Sequence, residues 1–471
     1  MDALNELVLA VKDTIWGLPL ILLVLGTGFL LTFRLKILQI FHLPRALVYM
    51  IKNEEGGKGE VTSFGALCTA LSATIGTGNI VGVATAITAG GPGALFWMLF
   101  AAFLGMATKY AEGVLAIKFR TIDKDGHVLG GPFYYIENGM GKGWRWLAKF
   151  FATFGVLAGL LGIGTITQVN GVASAVKDAF DPDTIYTVSL FGATYSWTTV
   201  ITAVAVSLFA GLVIIGGIKR IAAVSQVIVP FMAILYFVAC MFILLTNLPA
   251  LPAAIGQIFA GAFTGTAAVG GFAGAIVKEA IQAGVARGIF SNESGLGSAP
   301  IAAAAAQTHY PARQGLVTMT GTFLDTIIIC NLTGLSIIIT GAWMQPGLEG
   351  VEVTSYAFQT AFSFAPFLGQ MILTVCLIFF AFTTILGWDY YSERCLEYLT
   401  NRKMGVLKVY RYLYILAVLI GPFLTVEIVW NLGDVMNGLM AFPNLVALLA
   451  LSGVVVKETR SFLEEHPRIH Y

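Results

Sequence analysis

At 471 residues, with 57% hydrophobic and 11% charged residues and a mean hydropathy of +0.82, the chain is too apolar for a soluble globular protein. A formal net charge of +1, with no basic tail, argues against a nucleic-acid partner. The cysteines Cys68, Cys240, Cys330, Cys376 and Cys395 lie in or beside apolar runs without metal-site or disulfide-framework spacing, and read as reduced packing residues.

In chain order, eleven apolar runs reach the roughly 20 residues needed to cross a bilayer. They fall near 14–33, 64–90, 94–118, 150–176, 197–217, 221–246, 254–284, 315–342, 357–387, 408–429 and 433–456. Asp2, Glu6, Lys12 and Asp13 precede a full-length first run, which lacks the short apolar core and small-residue site of a cleavable signal. Arg34, Lys36, Arg45, Lys52 and Lys58 follow that run, so the positive-inside rule places the N-terminus outside and, after eleven spans, the C-terminus in the cytoplasm. Of 27 Lys and Arg, all but Lys12 and Lys177 then fall on or near the cytoplasmic side. Asp178, Asp181, Asp183, Glu349 and Glu352 read as solvated outer-loop faces. The chain 1–471 is expected to be one multi-pass membrane domain.

The second run is interrupted by Ser-Ala-Thr-Ile-Gly-Thr-Gly-Asn-Ile-Val-Gly over 72–82. Gly76 and Gly78 weaken the helix at mid-depth, where unpaired backbone groups cost several kcal/mol. Either the break faces a ligand, with amides for an anion and carbonyls for a cation, or the glycines form a helix-packing surface. The seventh run carries Gly270, Gly271 and Gly274. Five spans separate the two interrupted helices, so they cross in opposite directions, as an inverted repeat requires. The expected repeats are 64–246, then 254–429 with 433–456, preceded by an extra N-terminal helix at 14–33. Segment 287–314 is too polar at its start to span, and reads as a cytoplasmic loop and short helix.

Three stretches resemble the motifs of the alanine or glycine:cation symporter family, the sodium:alanine symporters: Ile75–Ile87, Ser291–Ala302 and Ile-Leu-Gly-Trp-Asp-Tyr-Tyr over 385–391. The likeness extends over nearly the whole chain, and its second motif is the most specific. It implies an all-α, leucine-transporter-like 5+5 fold with an extra N-terminal helix, importing small neutral amino acids with Na+ as coupling ion and without an organic cofactor. It also implies the cell (inner) membrane of a prokaryote. Asp389 departs from the small residue that the family carries after the tryptophan.

For a zwitterionic substrate, Thr77, Gly78 and Asn79 would offer donors at a helix start to the carboxylate. Gly271 and Gly274 would offer carbonyls to the ammonium, with Phe272 as a pocket wall. Gln168 matches a family glutamine that contacts substrate, while Asn170 reads equally as an interhelical hydrogen bond. The resemblance implies a Na+ cage from the carbonyls of Ser72 and Ile75 with the hydroxyls of Thr383 and Thr384. The rival reading bonds those hydroxyls to their own helix. Trp388 would exclude bulky side chains, or else anchor at the interface.

Lys109, Glu112, Lys278 and Glu279 read as residues near cytoplasmic helix ends that pair or snorkel. Asp325, mid-span, is a candidate proton relay or indirect ion ligand, or a satisfied carboxylate. Asn292, Glu293 and Ser294 read as part of the cytoplasmic closure. Ser294 with His309 does not make the elbow of a hydrolase, so no enzyme is expected. Proton coupling within the same fold and, less favoured, a channel are the alternatives.

Overall fold

The computed structural model describes residues 2–54, 56–190, 192–264, 273–424 and 426–467. Among these, nine helices are long and apolar enough to cross a membrane: Glu6–Arg34, Gly93–Lys118, Lys142–Phe180, Trp197–Ile214, Gly217–Thr246, Pro311–Ile339, Pro366–Thr400, Met404–Phe423 and Asn431–Glu465. A pair bent by 61°, Ser63–Thr74 with Thr77–Gly90, makes a tenth. The expected span at 254–284 includes residues 265–272, which lie outside the described set.

The elements that position the site are α1 (Leu18–Arg34), α2 (Ser63–Thr74), α3 (Val81–Gly90), α4 (Gly93–Lys118), α5 (Arg145–Leu161), α6 (Ile166–Phe180), α7 (Trp197–Ile214) and α8 (Gly217–Thr246). They continue as α9 (Ala273–Asn292), α10 (Ala299–Ala303), α11 (Pro311–Thr322), α12 (Asn331–Ile339), α13 (Pro366–Thr400), α14 (Met404–Ile420) and α15 (Val426–Glu465). Helix α1 packs on α4 and α15. Two antiparallel hairpins, β1–β2 (Thr121–Ile122, Val128–Leu129) and β3–β4 (Thr187–Leu190, Ala193–Ser196), mark opposite ends of the bundle.

Helix α2 begins at Thr62, whose side chain accepts the Gly65 N–H at 3.0 Å. It is built of small residues, and it crosses α13 so closely that a Cβ on Gly387 would lie 2.7 Å from Ala73. At Ile75 and Gly76 the backbone becomes extended. A 3₁₀ turn, Thr77–Asn79, then leads into α3.

A second break lies where none was expected. Helix α9 runs antiparallel to α3, with Ala280 against Gly90 and Ser291 against Gly78, and it stops at the level of the first break. Glu293, Gly295 and Gly297 take positive φ of 56°, 88° and 81°. Glycine adopts that conformation freely; Glu293 does not, and its side-chain bonds hold it there. Every residue from Ser291 to Ala306 is buried, so this part of 287–314 is inside the bundle rather than lying on a face. Its polar groups bond to protein instead of water, which a hydropathy average cannot register.

Opposite both breaks, a π-helical stretch, Phe323–Cys330, joins α11 to α12 and carries Asp325. Such wide turns are rare and recur at functional sites.

At the end carrying β1–β2 the chains entering and leaving the two breaks are tied together. Val61 pairs in parallel with Ala306. The amides of Glu60 and Val61 donate to the Ala305 carbonyl at 2.8 and 3.2 Å, and the Gln307 amide donates to Val61 at 2.8 Å. Arg120, just past α4, donates to the carbonyls of Ala304, Ala306, Lys58 and Thr308 at 2.6, 2.6, 2.7 and 3.1 Å.

Beside this closure, His127 places Nδ1 2.9 Å from Glu60 and Nε2 2.9 Å from Glu397, and Arg394 pairs with Glu397 at 2.6 Å. Hydrogen bonds to Glu397 and Glu60 raise the His127 pKa from 6.5 to about 8, against burial and the Arg394 charge. The sign follows from linkage: protonated His127 contributes stability fully below pH 6.5, and loses it as pH rises through about 8. The expected result is a melting-temperature gap between wild type and His127→Gln that closes across that window. A gap constant with pH would remove His127 from the closure.

At the β3–β4 end, Asp178, Glu349 and Glu352 line a cleft of about 930 Å³ that descends past Arg287 and Val81 to Asn170 and Gly171. Asp181 is not a solvated loop face: it is buried and accepts from Ser196 Oγ at 2.5 Å and from the Ile185 amide at 2.7 Å.

Candidate functional site

The first break is held by side chains standing in for helical carbonyls. Gly76 N–H donates to Asn79 Oδ1 at 2.8 Å, and Thr77 N–H donates to Gln168 Oε1 at 3.1 Å. In an unbroken helix those amides would serve the carbonyls of Ser72 and Ala73, four residues back. The diversion frees the two carbonyls toward the break. A Cβ on Gly76 would lie 2.5 Å from Thr384 Oγ1 and 3.0 Å from Gln168 Oε1, so only glycine lets α2, α6 and α13 converge here. The Thr77 amide, expected to face a carboxylate, is engaged by Gln168, whose Nε2 in turn donates to Ile163 at 2.9 Å.

Asn79 joins the first break to the second. Its Nδ2 donates to Asp325 Oδ1 at 2.7 Å and to the Asp325 carbonyl at 3.2 Å. Ser291 Oγ and Thr326 Oγ1 donate to Asp325 Oδ2 at 2.9 and 2.7 Å. Asp325, fully buried, is therefore a carboxylate ringed by neutral donors from three segments. Asn292 donates to Thr326 at 3.0 Å, and the Ser294 and Thr322 hydroxyls share a hydrogen bond of 3.0 Å.

Of the residues expected to hold the ion, two come together. Thr384 Oγ1 lies 3.3 Å from the Ile75 carbonyl while also donating to Phe380 at 2.9 Å. Thr383 turns elsewhere: it donates to Phe379 and Phe380, both at 3.0 Å, and faces Met232 Sδ at 3.5 Å. The Ser72 hydroxyl bonds its own helix at Thr69, 2.7 Å away, which leaves its carbonyl as the group directed to the break. The structure thus unites Ile75 and Thr384 and sets Thr383 on the α8 side.

Trp388 is fully buried and is not an interfacial anchor. Its indole N–H donates to Glu293 Oε1 at 2.7 Å, and Ser298 Oγ donates to Oε2 at 2.5 Å. Glu112 braces the same loop by accepting from Asn444 Nδ2 at 2.7 Å and the Gly297 amide at 3.2 Å. Tyr135 donates to the other end of Asn444. Lys109 and Glu112, expected near a helix end, are buried in this layer. Lys278 and Glu279 are exposed in the first turns of α9, at the end where α3 terminates.

Glu293, Glu112 and Asn444 were not foreseen as site residues; the signal available was an acidic residue inside Ser-Asn-Glu-Ser-Gly-Leu-Gly-Ser. Asn170 donates to the Leu424 carbonyl, in the turn after α14, at 3.3 Å. Gly274 lies in the first turn of α9, while Gly270, Gly271 and Phe272 fall outside the described residues.

Two broken segments meeting at one depth, with freed carbonyls, a buried carboxylate and a cleft reaching Val81, Asn170 and Gly171 from the β3–β4 end, suit a polar solute and a small cation. Comparisons with known proteins agree. The model of the sodium:alanine symporter family matches residues 1–469. An uncharacterized transporter of Haemophilus influenzae is 54% identical over 468 residues, 99% of this chain and 98% of that protein. The sodium/alanine symporter AgcS of Methanococcus maripaludis is 47% identical over 467 residues, 98% of this chain and 97% of its own. Among solved structures, MhsT in complex with L-phenylalanine is similar with a TM-score of 0.60 at 14% identity, covering 86% of this chain and 93% of that one, and supports a leucine-transporter-like fold. The chain belongs to the sodium:alanine symporter family: it is a multi-pass membrane protein of cation-coupled amino-acid symport, not an enzyme.

Proposed function

We propose that the protein imports small neutral amino acids, alanine or glycine, with Na+ by alternating access. The observation that carries this reading is the meeting of the two breaks, where Asn79, Asp325 and Ser291 join one segment to the other beside the Ile75–Thr384 contact. The substrate carboxylate exchanges with the Gln168 oxygen at the Thr77 amide and approaches over Gly78. Na+ takes the freed carbonyl of Ser72 and the Ile75 carbonyl with Thr384, hard oxygen ligands of the kind it requires. Trp388 limits the side chain. The sodium/alanine symporter activity printed for AgcS supports the choice of ion and substrate. The closed β1–β2 end is then cytoplasmic and the acidic cleft outward, with the N-terminus outside and the C-terminus inside the inner membrane of a prokaryote.

One observation favours a second reading. Asp325 is a mid-bundle carboxylate with only neutral hydrogen-bond donors, the kind of group a proton-coupled carrier uses. Uptake of labelled alanine into proteoliposomes separates the two. Accumulation under an inward Na+ gradient, and not under an equal choline gradient with an imposed pH difference, is the expected result. Accumulation driven by the pH difference alone selects Asp325 and proton coupling.

Two variants test residue roles. Thr384→Ala is expected to raise the half-saturating Na+ concentration by about tenfold, equivalent to about 1.4 kcal/mol; an unchanged Na+ dependence removes Thr384 from the ion site. Trp388→Ala is expected to let leucine and methionine compete with alanine; unaltered competition removes the ring from the pocket.

A further inference from the structure

Asp389 follows Trp388 on α13 and is 1% exposed, and among the described residues neither of its carboxylate oxygens has a hydrogen-bond partner. Other buried acidic groups nearby have donors: Asp325 has those of Asn79, Ser291 and Thr326, Glu293 has those of Trp388 and Ser298, and Glu112 has those of Asn444 and the Gly297 amide on one of its two oxygens.

The charged groups facing Asp389 are engaged with each other. Glu393, one turn along α13, and Arg411 of α14 form a bidentate pair at 2.7 and 2.6 Å. From α14, Tyr410 and Tyr414 also face it. The Tyr414 hydroxyl serves the carbonyls of Gly164 and Ile385 at 2.9 and 2.8 Å, and that of Tyr410 lies 3.4 Å from the Val156 carbonyl. Helix α5 presents Gly155 and Gly159 to this stretch of α13, pressed against Cys395 and Ser392. An ionised carboxylate enclosed in this way costs several kcal/mol even after relaxation, whereas a carboxylic acid is a small neutral group.

We propose that Asp389 is a proton-binding site. It keeps its proton while α13 and α14 are packed, and releases it when the end of the bundle beside it opens. The O–H bond breaks heterolytically, the electron pair stays on the carboxylate and the proton passes to water. A cleft of about 580 Å³ at the β1–β2 end comes close: it is lined by Tyr390, Glu393, Arg394, Leu407 and Arg411, and Glu393 and Arg411 are also the charged neighbours of Asp389. The site rests on the packing of α13 and not on the symport reading.

The test is infrared difference spectroscopy of the purified full chain at neutral pH, comparing wild type with Asp389→Asn. The expected result is a protonated-carboxyl C=O band in wild type that the variant lacks. No Asp389-dependent band at neutral pH, with carboxylate absorption lost instead, overturns the proposal.

A second measurement reads transport. At a fixed Na+ gradient, wild-type alanine uptake is expected to fall by about threefold as pH rises, with a shallower fall in the Asn variant, in which His127 still titrates. Parallel profiles overturn the proposal. Asp389→Ser, equally neutral and smaller, replaces Asn if that variant does not purify.

Discussion

Asn79→Ala is expected to abolish concentrative alanine uptake, by at least about 100-fold, in a protein that still purifies as a folded monodisperse species. The Asn79 side chain is fully buried, accepts the Gly76 N–H and donates to Asp325, so it fixes the first break and ties it to the π-helical stretch. Truncation strands one amide and one carboxylate oxygen at about 1–3 kcal/mol each in a soluble reference frame. Interhelical bonds within membranes average nearer 0.6 kcal/mol, because the alternative state also finds partners. Global stability therefore falls only modestly. Uptake falls far more, because the freed Gly76 amide can return to the Ser72 carbonyl and heal the helix, which erases the site. Uptake within about threefold of wild type would show that the break does not depend on Asn79.

Arg120→Ala is the second large effect, at the opposite end of the molecule from the cleft. Its guanidinium serves four carbonyls drawn from the chains that lead into α2 and out of α10. Charged hydrogen bonds are worth about 1.5–3 kcal/mol each, discounted here because water replaces part of the set. A net loss of about 2–3 kcal/mol would shift the balance between closed and open forms of this end by roughly 30- to 150-fold. The readout is the labelling rate of Thr77→Cys by a membrane-impermeant thiol reagent from the β1–β2 side, against the same substitution in an otherwise wild-type background. The native cysteines among the described residues are all buried. Equal labelling rates would show that Arg120 braces the loops without holding the end shut.

The first break was legible because Gly-Thr-Gly-Asn interrupts an otherwise apolar run, and a polar interruption at that depth demands a local explanation. The second was misplaced for the converse reason. Ser-Asn-Glu-Ser-Gly-Leu-Gly-Ser is polar enough to look like surface, yet Glu293 is satisfied by Trp388 and Ser298, and Asn292 by Thr326. Hydropathy scores a residue as though water were its only partner. Glycine counting pointed to 270–274 instead; of these, Gly274 opens α9 while 270–272 lie outside the described residues. Adjacent hydroxyls at Thr383 and Thr384 carried the same trap: they point roughly 100° apart around a helix, so one reaches Ile75 while the other meets Met232. The Thr77–Gln168 bond spans 91 positions of sequence and depends on how α6 is seated, which no local pattern encodes.

The pairing of Val61 with Ala306 bears on how tightly ion and solute flow stay linked. The same short ladder joins the strand before one broken segment to the strand after the other. Pulling either arm from the axis would drag its counterpart, so this end is expected to move as a single leaf instead of two flaps that swing independently. A half-open door, with one arm lifted, would let ions slip through without cargo and dissipate the gradient. Yoking the arms makes that intermediate costly, so on the proposed reading economy of ions per solute would rest on three backbone hydrogen bonds far from the place where either is held.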